Sequence, residues 1–328
     1  MKAFTSIDVS KDKLDVCWLR DVTTNKKKTK VLKNTSQGHE ALAEWLLKNT
    51  GLTPQEIVIT VEPTGVYSEP LMYFLHAKGF ILQQANPGKA YKYAQALDLV
   101  HKTDKSDSIM LARYGHDRQY SLSHWQPEAK EFRELRAMLR RLEALEKDLQ
   151  RENNRFEAAD FSGASKRVIE SLENMISALK EEIDKLTEEI DDHIDRHPDL
   201  GKNRDLLLTI KGVGPVISRI MVSLFASKDF KDAKQLSAYL GLIPKMKESG
   251  KRAGKTTLSK EGPGYIREKL YMAAVVASQH NPDIKAQKAR LLAKGKTKME
   301  ALGAAMRKLA QICFGVVKTQ TNYQPQVT

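Results

Sequence analysis

Only two of the 328 residues are cysteine, Cys17 and Cys313, each in an apolar setting and neither in a CxxC or Cys/His spacing. That excludes a disulfide-stapled fold and a zinc ribbon, and leaves both thiols as buried packing residues of a reducing compartment. No run of about 18 apolar residues occurs, and no charged-then-apolar leader precedes the first strand-like run. A soluble, cytoplasmic protein is expected. Acidic charge is scarce outside the middle of the chain. Residues 124–199 hold 13 Lys+Arg against 20 Asp+Glu, a net of −7, whereas the remainder holds 41 against 21, a net of +20, within an overall +13. Two basic ends of this kind favour a polyanionic partner, because neutralising phosphates releases counterions. The length admits two or three domains.

What is present begins with alternating β-like and helical runs over residues 1–120. Ala3–Val9, Leu14–Leu19 and Lys30–Leu32 read as strands, the first two joined by the polar turn SKDK. A helix follows over His39–Lys48, with Leu42, Trp45 and Leu46 on one face. Strand Ile57–Val61, a helix near Tyr67–Ala77, strand Phe80–Gln84, a short helix after Pro87 and a helix over Asp104–Arg118 complete the segment. Three strands before the first helix, then αβ units, is the order of a ribonuclease-H-like α/β fold.

Four acids stand out on this frame. Asp8 closes the first strand and Glu62 follows the fourth, the strand ends at which open α/β sheets place their sites. Asp104 and Asp107 are three apart at a helix start and share one face. Carboxylates so gathered suit Mg²⁺, and two such ions can serve phosphodiester chemistry. An N-cap at Asp104 and a dipole-complementing acid at Asp107 would account for that pair equally.

Residues 124–197 turn charged and helical. Ile169, Leu172, Ile176, Leu179, Ile183, Leu186 and Ile190 alternate spacings of three and four. Phe132, Leu135, Leu139, Leu142 and Leu149 keep the same register with a break at Glu146, and FSGAS supplies a turn. An antiparallel coiled-coil hairpin is expected, joining copies of the chain; a hairpin folded only on itself is the alternative. His193 and His197 have metal-compatible spacing but precede Pro198, and read as solvated.

Residues 200–320 read as an all-α region. LLLTIKGVGPVISRIMV resembles a helix-hairpin-helix, in which Gly212 and Gly214 leave N–H groups free for a phosphate, although a plain tight turn reads as well. Further on, Lys245, Lys247, Lys251, Arg252, Lys255 and Lys260 crowd a Gly-rich loop between apolar helices, a charge density that a nucleic-acid backbone would relieve. The loop has no His, which argues against an ordinary hydrolase triad around its serines. A last helix runs from Lys298 to about Val317 with Met299, Leu302, Met306 and Leu309 inward, and 321–328 is a loose tail.

Asp8 in SIDVSKDKLDV, Glu62 in VEPTGVY and the pair in KTDKSDSIMLARYG together resemble the RuvC-like domain of DEDD-type insertion-sequence transposases, and Ser237–Ala277 resembles the carboxyl-terminal transposase domain of that family. The resemblance implies a DNA recombinase with Mg²⁺ on Asp8, Glu62, Asp104 and Asp107 and a serine nucleophile. Ser249 in ESG is the position matched to it, with Ser259 in LSKEG as the rival. It implies a transient phosphoserine link, the acids and the serine meeting over DNA, a structured guide (bridge) RNA, and a dimer or tetramer. A junction resolvase using water would need the acids without Ser249, and a non-enzymatic coiled-coil DNA-binding scaffold would need neither. An actin-like ATPase shares the early strand order but would need a Gly-rich phosphate hairpin, and none stands near Asp8 or Glu62.

Overall fold

The computed structural model describes residues 2–24, 26–63, 65–97, 104–245, 248–249, 252–253 and 257–326; of Asp104, Lys105, Glu248, Ser249, Arg252 and Ala253 it describes the backbone alone. The chain divides into two compact units, Met1–Pro127 and Glu128–Thr328.

The first unit is built on a five-stranded sheet of order β3-β2-β1-β4-β5. Its strands are β1 (Ala3–Val9), β2 (Lys13–Asp21), β3 (Lys26–Lys33), β4 (Ile57–Val61) and β5 (Ile81–Gln84). β2 pairs antiparallel with both β1 and β3, whereas β4 runs parallel to both β1 and β5. This is the arrangement expected from the order of the runs, with β3 longer than its apolar core suggested. Strand β4 is buried at all five positions, IVITV, because helices cover both faces of the parallel part.

Ala3, Ile7 and Val9 of β1, Leu14 and Val16 of β2, and Ile57, Ile59 and Val61 of β4 point to one face. They pack there with Leu42 and Leu46 of α1 (Ser36–Thr50) and with Leu71, Met72 and Leu75 of α2 (Glu69–Ala77). Helix α3 (Pro87–Ala96) follows β5, and α4 (Asp104–Asp117) covers the opposite face, where Ala112 meets Cys17 and Leu19. Burial pushes the Cys17 thiol up to about 11, so it stays protonated and packs as a small apolar group.

α4 lies unusually close to the sheet because residue 115 is glycine. A Cβ there would land on the buried Thr60 hydroxyl of β4, which itself has no hydrogen-bond partner among the described residues. Gly115→Ala is therefore expected to destabilise the unit by about 1–3 kcal/mol through overpacking, outweighing the gain in helix propensity of roughly 1 kcal/mol, as a lowered unfolding temperature would report. The far end of α4 is anchored by Asp117, which accepts from the Tyr93 hydroxyl and lies 2.9 Å from His116 Nδ1. Partial burial raises the Asp117 pKa, but these hydrogen bonds outweigh it and hold the carboxyl below its usual range. The anchor is thus in place at neutral pH, and is lost as the pH falls through that lowered value.

The second unit is helical. α5 (Lys130–Phe161) and α6 (Lys166–Arg196) form an antiparallel hairpin, and α7 (Pro198–Leu208), α8 (Pro215–Ser227) and α9 (Ala233–Tyr239) follow. After an arm containing four two-residue strands come α10 (Gly264–His280), α11 (Pro282–Ala293) and α12 (Lys298–Thr319). Among the described residues no helix is long and apolar enough to cross a membrane. Leu135, Leu142 and Leu145 of α5 and Leu186, Ile190 and Ile194 of α6 enter the same core as Leu207, Met221, Leu270 and Leu309, so the hairpin is rooted in the helical body. Its outer half is barer, with Val168 and Met175 exposed beside a half-buried seam.

Glu146, the break in the α5 register, accepts from Lys269 Nζ at 2.8 Å, which makes it the docking point for α10. His193, expected in solvent, is buried, with Nε2 2.9 Å from the Glu131 carbonyl; the base of α5 covers it. Met299, expected inward, is exposed in the first turn of α12, whereas Leu302, Met306 and Leu309 are buried as expected. Of the segment expected as a loose tail, residues 321–326 are tied down: the Tyr323 hydroxyl donates to Asp283 and lies 2.9 Å from Asn281 Oδ1, and the Gln326 N–H donates to Asp283.

The GVGP turn between α7 and α8 has a structural reason for its first glycine. Gly212 takes φ +98° and abuts Ala277 of α10 so closely that a Cβ would lie 2.8 Å from the Ala277 Cα. Fully buried Asn281 locks this corner, donating to the Lys211 carbonyl at 3.2 Å while capping α11 through Ile284 N–H. Asn281→Ala removes a cap worth about 1 kcal/mol and leaves a carbonyl unpaired at about 1–3 kcal/mol. Denaturant unfolding should register a loss of about 2–4 kcal/mol.

Candidate active site

The register of the central sheet decides where the strand-end acids stand. β1 and β4 pair in parallel up to Ile7↔Val61, so the next residue of each, Asp8 and Glu62, emerge side by side on the same face. Neighbouring strands are about 4.8 Å apart, which is within the reach of two carboxylates for one cation. Across the other edge of β1, Asp8 is paired with Asp15 of β2. Asp15 is buried, and Lys13 Nζ stands 3.1 Å from its carboxylate. A row Asp15, Asp8, Glu62 thus crosses three strands. Asp15 escaped the reading of the sequence, although a hairpin turning at Lys11–Asp12 fixes its position opposite Asp8.

The helix bearing the other two acids lies over this face and is oriented toward that row. His116, near its end, stacks edge-on against Phe4 with ring centroids 4.8 Å apart. Nearer its start, the Ser108 carbonyl accepts from the Ser6 hydroxyl. Proceeding from Phe4 to Ser6 along β1 therefore runs backward along α4. Asp8 lies about 6.7 Å beyond Ser6, and Asp104 lies about 6 Å beyond Ser108 along the helix axis. The first turn of α4 carries Asp107 and the backbone of Asp104 toward the carboxyl end of β1; the Asp104 side chain lies outside the described residues. Among the described residues no three His, Cys, Asp or Glu side chains are gathered closely enough to hold a metal ion. The four candidate acids offer only carboxylate oxygens, a donor type that suits a hard cation such as Mg²⁺ and not a soft one.

The basic segment is an arm with two short ladders, not an irregular loop. β6 (Pro244–Lys245) pairs with β9 (Thr257–Leu258), and β7 (Glu248–Ser249) pairs with β8 (Arg252–Ala253). Ser249 is opposite Arg252, next to the tip of the inner ladder. Lys247, Lys251 and Lys255 lie outside the described residues, as do the side chains of Ser249 and Arg252. Lys245 Nζ meets Glu261 at 3.2 Å in an exposed pair, worth little in water, and Lys260 takes φ +55° where the arm rejoins the body. The rival serine is placed differently: the Ser259 hydroxyl is buried without a hydrogen-bond partner among the described residues. Of the two glycines proposed to meet a phosphate, Gly212 is occupied by packing, and Gly214 is open at the start of α8.

Comparison with known proteins covers both units. A family model of the IS110-type DEDD domain, described as a transposase, matches residues 5–159, and a second, described as the transposase IS116/IS110/IS902 family, matches residues 204–289. The chain is 30% identical to the pilin gene-inverting protein of Moraxella lacunata and 29% identical to that of Moraxella bovis, each over 99% of both chains. It is also 26% identical to a probable family 20 transposase of Pseudomonas aeruginosa, over 36% of each chain. Matches to both domain models, and end-to-end similarity to the pilin gene-inverting proteins, establish that the chain belongs to the IS110 family of transposases.

Proposed function

We propose that this chain is a Mg²⁺-dependent DNA recombinase in which Asp8, Glu62, Asp104 and Asp107 serve as the metal-binding acids and Ser249 as the nucleophile, directed to its sites by a structured RNA. The observation that carries the proposal is the strand register that sets Asp8 beside Glu62 under the acid-bearing turn of α4. Magnesium bound there would supply a field that lowers the pKa of the attacking hydroxyl and stabilises the leaving oxygen. In the strand-transfer step the Ser249 oxygen bonds to the scissile phosphorus, the bond to one sugar oxygen breaks, and that oxygen leaves as a hydroxyl after taking a proton. Reversal with a new hydroxyl end rejoins DNA without ATP. The buried state of the Ser259 hydroxyl favours Ser249 as the nucleophile.

Inversion of a gene, for which the Moraxella relatives are named, is a DNA rearrangement of the kind proposed. Lys245, Lys247, Lys251, Arg252, Lys255 and Lys260, with the first turn of α8 after Gly214, which has no side-chain cap, would hold nucleic-acid backbone. The half-buried seam and exposed Val168 and Met175 of the hairpin favour helix-to-helix pairing of copies into a dimer or tetramer. Sequence choice falls to base pairing in the guide, the protein reading shape and charge.

The test is reconstitution with donor and target DNA, Mg²⁺ and RNA transcribed from the non-coding DNA flanking the gene. Joined products that require both the RNA and the metal are expected. Products that stop at cleavage, with normal yield from a Ser249→Ala chain, would instead mark a nuclease that uses water.

A further inference from the structure

Within the helical unit a cleft of about 360 Å³ opens between α5, the end of α8 and the first turn of α10. Its walls are cationic and incompletely neutralised. Arg136 is gripped by both oxygens of Glu128, and Glu143 is engaged by Lys147. Arg140 and Lys228 have no carboxylate at ion-pair distance among the described residues, although both line the cleft. Lys228 lies over the Tyr239 ring, 5.1 Å from its centroid. Desolvation first, with repulsion from Arg136 and Arg140 added, holds its ammonium below the ordinary lysine range against the opposing pull of Glu128.

Two further features point to an oxyanion. The first turn of α10, Gly264 to Ile266, forms part of the wall and has no side-chain cap, so its N–H groups are open to an acceptor. Ser223 is only 7% exposed as a residue and lines the same cleft, and its hydroxyl makes no hydrogen bond to another described residue. That hydroxyl, open to the cleft, is available to donate to an oxyanion oxygen there. Tyr239 and Tyr265 line the cleft as well and offer the aromatic surface on which an unpaired base stacks, which favours a nucleotide over a free anion.

We propose that this cleft is a phosphate site for a nucleic-acid strand, taking one backbone phosphate between Arg140, Lys228, the Ser223 hydroxyl and the amino terminus of α10, with an adjoining base against the tyrosines. In naming a nucleic acid it rests on the function proposed above, and the site is separate from the carboxylates and from the Ser249 arm. Binding is measured with the full chain, a fluorescent 30-nucleotide single strand and EDTA in place of metal. The Arg140→Gln/Lys228→Gln chain should bind about tenfold more weakly, with a salt slope shallower by about 1.4 for two lost contacts to a single strand. Arg140→Lys/Lys228→Arg should retain most of the affinity.

A second measurement needs no variant. Acylation of Lys228 in the unmodified chain, followed by mass spectrometry, should slow when the oligonucleotide is bound, and less so with inorganic phosphate alone. Unchanged affinity and slope in the Gln variant overturn the proposal. So does protection of Lys228 by phosphate without protection by the oligonucleotide, which would mark a free-anion site. An Asp8→Asn chain should bind the strand normally in EDTA, so failure of the recombinase chemistry and failure of this cleft are read separately.

Discussion

Asp8→Asn is expected to lower strand cleavage by about a thousandfold or more while leaving the fold in place. The magnitude follows from losing one carboxylate of the proposed cation site, which would stabilise charge in the transition state, several kcal/mol at about 1.4 kcal/mol per tenfold. Asp8 is half-buried at a strand end, and asparagine keeps its shape, so in EDTA the unfolding free energy should stay within roughly 0.5 kcal/mol of the unmodified chain. Adding Mg²⁺ should raise the unfolding temperature of the unmodified chain by mass action, and that rise should vanish in Asp8→Asn and in Glu62→Gln. The thermal readout is independent of activity. A variant that still gains stability from Mg²⁺ and still cleaves would remove Asp8 from the site. Asp15 sharpens the comparison: its carboxylate already has Lys13 as a partner, so Asp15→Asn should lose far less of the metal response than Asp8→Asn.

The strands that carry the acids were legible because their burial is written as apolar runs, AFTSIDV and IVITV, with an acid at or just past the end. Strand β3 was only partly legible. Its residues, KKKTKVLK, are almost all exposed at a sheet edge, where lysines discourage pairing with another chain and mask the period of two. The position of Asp8 beside Glu62 followed from strand order, but the position of Asp15 needed the hairpin register, which composition does not carry. His193 was misread because its burial comes from α5, more than 60 residues away in the chain. The Ser249 arm read as a loop because ladders of two residues are too short to leave a periodic signal. Gly212 illustrates a different limit: a GxG turn is the same string whether its glycine meets a phosphate or, as here, the backbone of a neighbouring helix.

Ser249→Ala and Ser259→Ala should part company completely. Ser259 presents a buried hydroxyl with no partner among the described residues, so removing it relieves an unmet hydrogen bond and should leave stability unchanged or raised by about 1 kcal/mol, with strand joining near normal. The Ser249 backbone pairs with Arg252 in a two-residue ladder, and alanine there is expected to leave the unfolding temperature unchanged. Joining, however, should fall by a thousandfold or more, because a nucleophile works as a unit with its activating groups and its loss is not shared out among them. A covalent protein–DNA adduct, trapped by denaturation during the reaction and mapped by mass spectrometry, should carry the residue-249 peptide and disappear in Ser249→Ala. Combining Ser249→Ala with Asp8→Asn should then cost little more than either alone, since each already stops the same step. Costs that instead multiply in the double variant would mean that the carboxylates and the serine act in different steps, and the single strand-transfer reaction proposed here would have to be divided between them.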